Sequence, residues 1–203
     1  MEFRVHHILK NTKVEGPYTR YCIWFQGCSK HCKGCWAKAT WDFKKGIKYN
    51  TDDIIQDILN TKNIEGVTFL GGEPFEQFEA LYEIASKVHN NNLGVLCFTG
   101  KNYKEIKSKY SKILSFIDLL IDGGFEEKNI DFSRPWVGSS NQNYYFLSNR
   151  YKTDIIKKYK NKVEINIKKD GTVFINGMGD FNKLAENFKI HTQVTCKNSA
   201  QSI

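Results

Sequence analysis

Three of the six cysteines in this 203-residue chain, Cys28, Cys32 and Cys35, fall within the stretch FQGCSKHCKGCW. Their spacing is C-x3-C-x2-C. Two thiols make a disulfide and four close a structural zinc site, whereas three leave one coordination position open. Thiolates on one short loop suit two metals, zinc and iron–sulfur. A zinc site would have to recruit Cys22, from the preceding strand, or His31, inside the loop. A four-iron, four-sulfur cluster takes one cysteine per iron, so three cysteines leave one iron free to bind a small ligand. Cys97 and Cys196 are isolated, and Cys97 reads as a core residue of an apolar strand.

The chain around the loop favours reduced thiols. Its N-terminus, MEFRVHHILKNTKVEG, has no apolar stretch of signal-peptide length, and no apolar run approaches membrane-spanning length. The expectation is a cytoplasmic protein with no membrane partner, in which clustered cysteines are ligands. The formal net charge is +8. The lysines are spread over helix-like segments without a zinc-finger, helix-turn-helix or RNA-binding signature, so no nucleic-acid partner is expected.

The elements that must position the loop alternate. Tyr21–Gly27, Gly66–Gly72, Gly94–Gly100 and Asp118–Gly124 read as strands that are apolar nearly throughout. Thr51–Asn60, with Thr51 as N-cap, and Glu76–Asn90 and Tyr103–Leu114 read as helices. This order predicts parallel β/α units with right-handed crossovers. All strand C-termini then share one edge, where such folds bind ligands. Gln26–Cys28, Gly71–Pro74, Thr99–Lys101 and Asp122–Gly124 gather there. After Arg150 the pattern changes to alternation about Asp170-Gly171, a hairpin with a type I′ turn, then a short helix at Asp180–Phe188. The fold expected is α/β: a partial (β/α) barrel of parallel strands over residues 1–150, and a small α+β appendage over 151–203.

Two motifs together resemble the radical S-adenosylmethionine (SAM) superfamily: the three-cysteine loop after the first of these strands, and GGEP at Gly71–Pro74 after the second. The segments GPYTR, GCSKHCKGCWAKATW, LGGEP, FTG, LIDGGF and WVGSSNQ, in this order, resemble the activase group of glycyl radical enzymes within it, over residues 14–147. Departures are Tyr18, where glycine is common, near what the resemblance makes the mouth of the site; Leu70 before the glycine pair, where serine is common; and Gly124 after Asp-Gly.

The resemblance implies a [4Fe-4S] cluster on Cys28, Cys32 and Cys35, with SAM chelating the fourth iron. It implies SAM contacts from Gly34, Cys35 and Trp36 near the adenine and from Gly71, Gly72 and Glu73 near the amino group. Thr99, Asp122, Ser139 and Asn141 are implied as polar contacts, and no catalytic side chain beyond the cluster ligands is indicated. The implied activity is reductive cleavage of SAM to a 5′-deoxyadenosyl radical. The implied partners are a glycyl radical enzyme such as anaerobic ribonucleotide reductase and a flavodoxin or ferredoxin donor. The alternative is the same chemistry applied to a ribosomal peptide or a small molecule.

Overall fold

Strands that are apolar on both sides need two covers, and the alternation of side chains across the sheet supplies them. In the computed structural model, which describes residues 1–167, 169–171 and 173–180, the elements in chain order are β1 (Glu2–Thr12), β2 (Arg20–Phe25), β3 (Ile47–Asn50), α1 (Thr51–Asn60), β4 (Gly66–Gly71), α2 (Phe78–Asn90), β5 (Gly94–Phe98), α3 (Tyr103–Lys109), β6 (Leu119–Asp122), β7 (Asn143–Phe146), α4 (Ile155–Lys158), β8 (Val163–Ile167) and β9 (Val173–Gly177). The first seven strands form one sheet in the order β3-β1-β2-β4-β5-β6-β7, and β8 pairs with β9. The inner strands β2, β4, β5 and β6 are parallel, so their C-terminal ends share an edge as expected. The sheet is thus mixed α/β with a parallel centre and antiparallel flanks, and β3 and β7 are its edge strands.

Tyr21, Ile23, Phe25, Val67, Phe69, Val95 and Cys97 point to one face. There they meet Ile54 and Ile58 of α1, Leu81, Ile84 and Val88 of α2, and Ile106 of α3. Leu96, Leu119 and Ile121 point to the other face and meet Trp136, Val137, Tyr151 and Ile155. Arg20 closes the N-terminal edge. Fully buried, it pairs with Glu65 and donates to Tyr151 Oη (2.6 Å), Thr68 Oγ1 (3.1 Å) and the Gly94 carbonyl (3.1 Å). A buried charge is tolerated when every donor is used in this way.

Three strands were not foreseen. β1 mixes polar and apolar residues because only part of it is buried, β3 has four residues, and β7 follows a polar run that reads as a loop. The helix cap also moves by one residue: the side chain of Asn50 accepts from Asp52 N (3.0 Å), and Thr51 begins the helix. The third helix ends at Lys109 and continues as a 3₁₀ segment, Ser111–Phe116.

The hairpin β8–β9 stands against β1 and β2. Its pairing runs from Val163↔Gly177 to Ile167↔Val173, and Gly171 takes φ +81°. With Ile167 opposite Val173 the loop holds five residues, not the two of the expected type I′ turn; Lys168, Thr172 and, beyond Asp180, the helix expected at Asp180–Phe188 lie outside the described residues. Phe174 sits 4.1 Å from the ring of His7 and edge-on to Trp24 at 6.0 Å. Below it, Asn176 donates to Thr12 Oγ1 (3.1 Å), Thr12 donates to Glu164 (3.1 Å), and Gly177 N donates to Glu15 (2.6 Å). Glu15 is only 3% exposed. Burial pushes its carboxyl up to about 7, against hydrogen bonds from Gly177 and Asn176 that lower it. The alternate side of the hairpin carries Ile165, Ile167 and Val173, all exposed. The hairpin therefore turns mostly polar side chains to the sheet and apolar ones outward.

Candidate cofactor site at the parallel-strand edge

The cysteine loop follows β2 and is held by backbone bonds. Gly27 N donates to the Thr40 carbonyl (2.6 Å), Cys28 N to that of Trp41 (3.1 Å) and Cys35 N to that of Cys32 (3.1 Å). Gln26, 1% exposed, bridges to the carbonyls of Ala39 (3.1 Å) and Asp42 (2.7 Å). Gly34 takes φ +76°, where a side chain would be strained and would meet Glu127 at 2.8 Å.

The three thiols are free. Burial pushes the Cys28 and Cys35 thiols up; hydrogen bonds pull the other way, from the amides of Lys30 and His31 onto Cys28 and from the amide of Ala37 and the indole of Trp41 onto Cys35. Donors aimed at sulfur stabilise thiolates and tune a bound cluster. Among the described residues no three His, Cys, Asp or Glu side chains converge as a single ion requires. One zinc ion would draw its thiolates to within about 3.8 Å of each other, from bonds of about 2.3 Å in a tetrahedron. Three thiols on one loop without a fourth ligand suit a cluster that leaves one iron open. The two candidates for a fourth zinc ligand are elsewhere: Cys22 is fully buried inside β2, and the ring of His31 stacks on Trp41 at 4.5 Å.

The glycine pair meets this loop directly. Gly72 N donates to the Phe25 carbonyl (2.8 Å) and Glu73 N to that of Gly27 (2.9 Å). A Cβ on Gly72 would lie 2.3 Å from the Gly27 carbonyl oxygen, and Gly71 takes φ +102°. Only glycine lets the two turns touch. Glu73, 1% exposed, accepts from Phe75 N (3.1 Å), Thr99 Oγ1 (2.8 Å) and Gly100 N (2.8 Å), and burial raises its carboxyl against those bonds. It ties the end of β4 to the end of β5. Thr99 also accepts from Lys101 N (3.0 Å). Asp122 accepts from Tyr103 N (2.6 Å) and from Asn143 Nδ2 (3.1 Å).

The polar run reaches the same edge. Asn141 Nδ2 donates to the Gly124 carbonyl (2.8 Å), and Gln142 Nε2 to that of Gly123 (3.0 Å). Gly124 in turn lies against the cysteine loop, because a Cβ there would be 3.4 Å from Cys32 Sγ. Among the described residues, Asn141 Oδ1 is buried and has no hydrogen-bond partner. A buried acceptor left empty at the strand-end edge awaits a donor. Ser139 accepts from Glu126 N (3.1 Å) and caps no helix.

The structure thus gathers Cys28, Cys32, Cys35, Gly71, Gly72, Glu73, Thr99, Asp122 and Asn141 at one edge, with Gly34 and Trp36 on the loop and Trp36 44% exposed. Tyr18 is not at this edge. It precedes β2, at the opposite end of that strand, where its amide donates to Tyr159 Oη (3.0 Å). Arg134 carries a supporting role that the sequence did not assign: it pairs with Asp131 (2.6 Å) and donates to the carbonyls of Ser139, Ser140 and Gln142, which shapes the polar turn. Trp41 was visible only as part of a sequence resemblance.

Residues 14–145 match the model of the family described as a 4Fe-4S single cluster domain. The anaerobic ribonucleoside-triphosphate reductase-activating protein of Vibrio cholerae is 31% identical over 137 residues, which cover 64% of this chain and 88% of that protein. The one from Pasteurella multocida is 32% identical, over 65% and 90% respectively, and the one from enterobacteria phage T4 is 30% identical, over 64% and 85%. Among solved structures, QueE from Escherichia coli aligns over 49% of this chain and 53% of its own, at 19% identity and a TM-score of 0.43.

Proposed function

From its membership of the anaerobic ribonucleoside-triphosphate reductase-activating proteins, a family built on a 4Fe-4S single-cluster domain, we propose how this chain's residues divide the work of a radical SAM activase. When bound, the cluster and SAM supply the radical: an electron from the reduced cluster cleaves the sulfonium to methionine and a 5′-deoxyadenosyl radical, which takes a hydrogen atom from the partner.

Cys28, Cys32 and Cys35 hold the cluster. The observation that carries this assignment is the loop itself, three free thiols with amide and indole donors aimed at two of them. The backbone of Gly71 and Gly72 forms the floor for the SAM methionine moiety, since the missing side chains let this turn touch the root of the cysteine loop. Asn141 Oδ1 accepts a donor from SAM; its empty, buried state supports this. Glu73 and Asp122 act chiefly by fixing strand ends, because each already receives donors from the chain. Thr99 works through Glu73. Ser139 holds the polar turn, and Gly34 and Trp36 sit where the loop would meet the adenine. Holding the group against fixed backbone keeps the reacting atoms aligned and water out.

We read the parallel strands as part of an incomplete barrel whose open side admits the partner's segment. The partner is an anaerobic ribonucleotide reductase, and the electron comes from a flavodoxin- or ferredoxin-type carrier. No helix of the described residues is long and apolar enough to cross a membrane.

The test is anaerobic reconstitution. Iron and sulfide in equal amounts, 5′-deoxyadenosine formed under dithionite, and a glycyl radical seen by electron spin resonance on co-incubation with the reductase are expected; Cys32→Ala loses all three. Stoichiometric zinc without iron, or SAM cleavage with no radical on the reductase, overturns the cluster assignment or the partner assignment respectively.

A further inference from the structure

Each radical formed consumes one electron, so a donor must reach the cluster, whose inner side faces the strand ends where SAM and the partner would bind. The cysteine loop has two sides. Its inner side faces the strand ends, with Cys32 against Gly124 and Lys30 against Gly100. Its other side is open to solvent, and the segment Cys28–Lys48 carries six lysines and a single acid, Asp42, a net +5 of the chain's +8. Lys33 pairs with Glu127 (3.2 Å) and Lys48 with Glu2 (2.9 Å). Among the described residues, Lys38, Lys44 and Lys45 make no ion pair within 4.0 Å. Beside Lys44 and Lys45 stands Phe43, 47% exposed. The Phe43 ring is backed by Gly27, where a Cβ would lie 2.5 Å from it, so one face of it rests on the root of the cysteine loop.

Lysines alone on a surface describe a solvated face. Unpaired lysines beside a half-exposed aromatic ring, at the root of the loop that holds the electron acceptor, describe an interface, with an aromatic anchor inside a charged rim. We propose that this outer face at the root of the cysteine loop, centred on Phe43, Lys44 and Lys45, is the docking surface for an acidic one-electron carrier protein. The proposal rests on the radical SAM reading above and adds the place where its electron enters. In the transfer, the carrier loses one electron and the oxidised cluster gains it; no atom moves. The opposite charge of the carrier supplies steering, which raises association rates by orders of magnitude at low salt and fades as ions screen it. It also keeps the donor off the strand-end side, so carrier and protein substrate need not compete for one surface.

The test uses the reconstituted enzyme and the double variant Lys44→Glu/Lys45→Glu, which reverses two charges on exposed side chains away from the cysteines and shifts the net charge by four. Reduction by pre-reduced flavodoxin, followed by the loss of cluster absorbance, should be at least about tenfold slower than wild type at low ionic strength and should lose most of its salt dependence. Dithionite-driven SAM cleavage should be unchanged. An unchanged flavodoxin rate at low salt overturns the proposal. So does a loss of dithionite-driven cleavage, which would place the lysines in the cluster's own support. So does weaker binding of the reductase with the flavodoxin rate intact, which would make this the substrate's face. If wild type cleaves no SAM with dithionite, the underlying reading fails and the docking surface is not what failed.

Discussion

Substitution of Gly72 by alanine tests how closely the two turns of the site must meet. The added Cβ would lie 2.3 Å from the Gly27 carbonyl oxygen and 3.0 Å from that of Phe25. An ordinary carbon–oxygen contact is about 3.3 Å or more, so the Gly71–Pro74 turn must retreat from the cysteine loop by about 1 Å. Two hydrogen bonds cross that gap, Gly72 N to Phe25 O at 2.8 Å and Glu73 N to Gly27 O at 2.9 Å. Stretched by that amount they pass the distance at which they count as bonds. At about 1 kcal/mol each, their loss costs about 2 kcal/mol of stability. A misplacement of about 1 Å between a bound group and its support costs on the order of 100-fold in rate. Gly72→Ala should therefore fold, bind iron and sulfide, and form 5′-deoxyadenosine under dithionite about 100 times more slowly than wild type. Gly100→Ala is the control: its Cβ would meet Lys30 Cγ, part of a flexible side chain, at 3.3 Å, so cleavage should stay within a few-fold of wild type. Cleavage by Gly72→Ala at the wild-type rate, or equal impairment of both variants, would refute the reasoning.

Two further outcomes follow from the geometry. Glu15, raised to about 7 by burial against the hairpin, favours the folded state most below its unfolded value of 4.5; that stability is lost as pH rises to about 7, a change of about 3 kcal/mol. Urea midpoints should fall between pH 5 and pH 7.5 in wild type and much less in Glu15→Gln, and parallel pH profiles would count against the assignment. Trp41→Phe keeps the ring that stacks on His31 but removes the indole donor to Cys35. One hydrogen bond of about 1 kcal/mol to a thiolate corresponds to about 40 mV for one electron, so the cluster potential should fall by about that amount. An unchanged potential in a fully loaded cluster would show that the indole does not act on the sulfur.

The parallel centre of the sheet was legible because each strand is a short apolar run ending in glycine, and because the helices between them repeat with a helical period. What was not legible depends on tertiary surroundings. β1 is half exposed along its length and lacks a clean alternation, and β7 hides behind the Ser139–Gln142 turn, which looks like a loop until Arg134 gathers its carbonyls. The cysteine loop and the glycine pair announced themselves by residue type. The occupation of Glu73 and Asp122 by backbone donors did not, since a carboxylate at a strand end looks the same in sequence whether it faces a ligand or an amide. Tyr18 was misplaced for a related reason: the resemblance gave its neighbours in the family, but only the direction of β2 gives its edge.

The hairpin β8–β9 lies on the sheet through Glu15, Thr12 and Asn176, with Phe174 as its main apolar anchor and its own apolar residues turned outward. Little hydrophobic area holds it there, while the helix-side core of the sheet is filled by other residues altogether. Units joined in this way open at a free energy below that of the whole domain. The amide of Gly177 should therefore exchange its hydrogen through release of the hairpin alone, while those of β4 and β5 wait for global unfolding. The chain thus carries an element that can leave the sheet and return without disturbing the strands that carry the cluster loop.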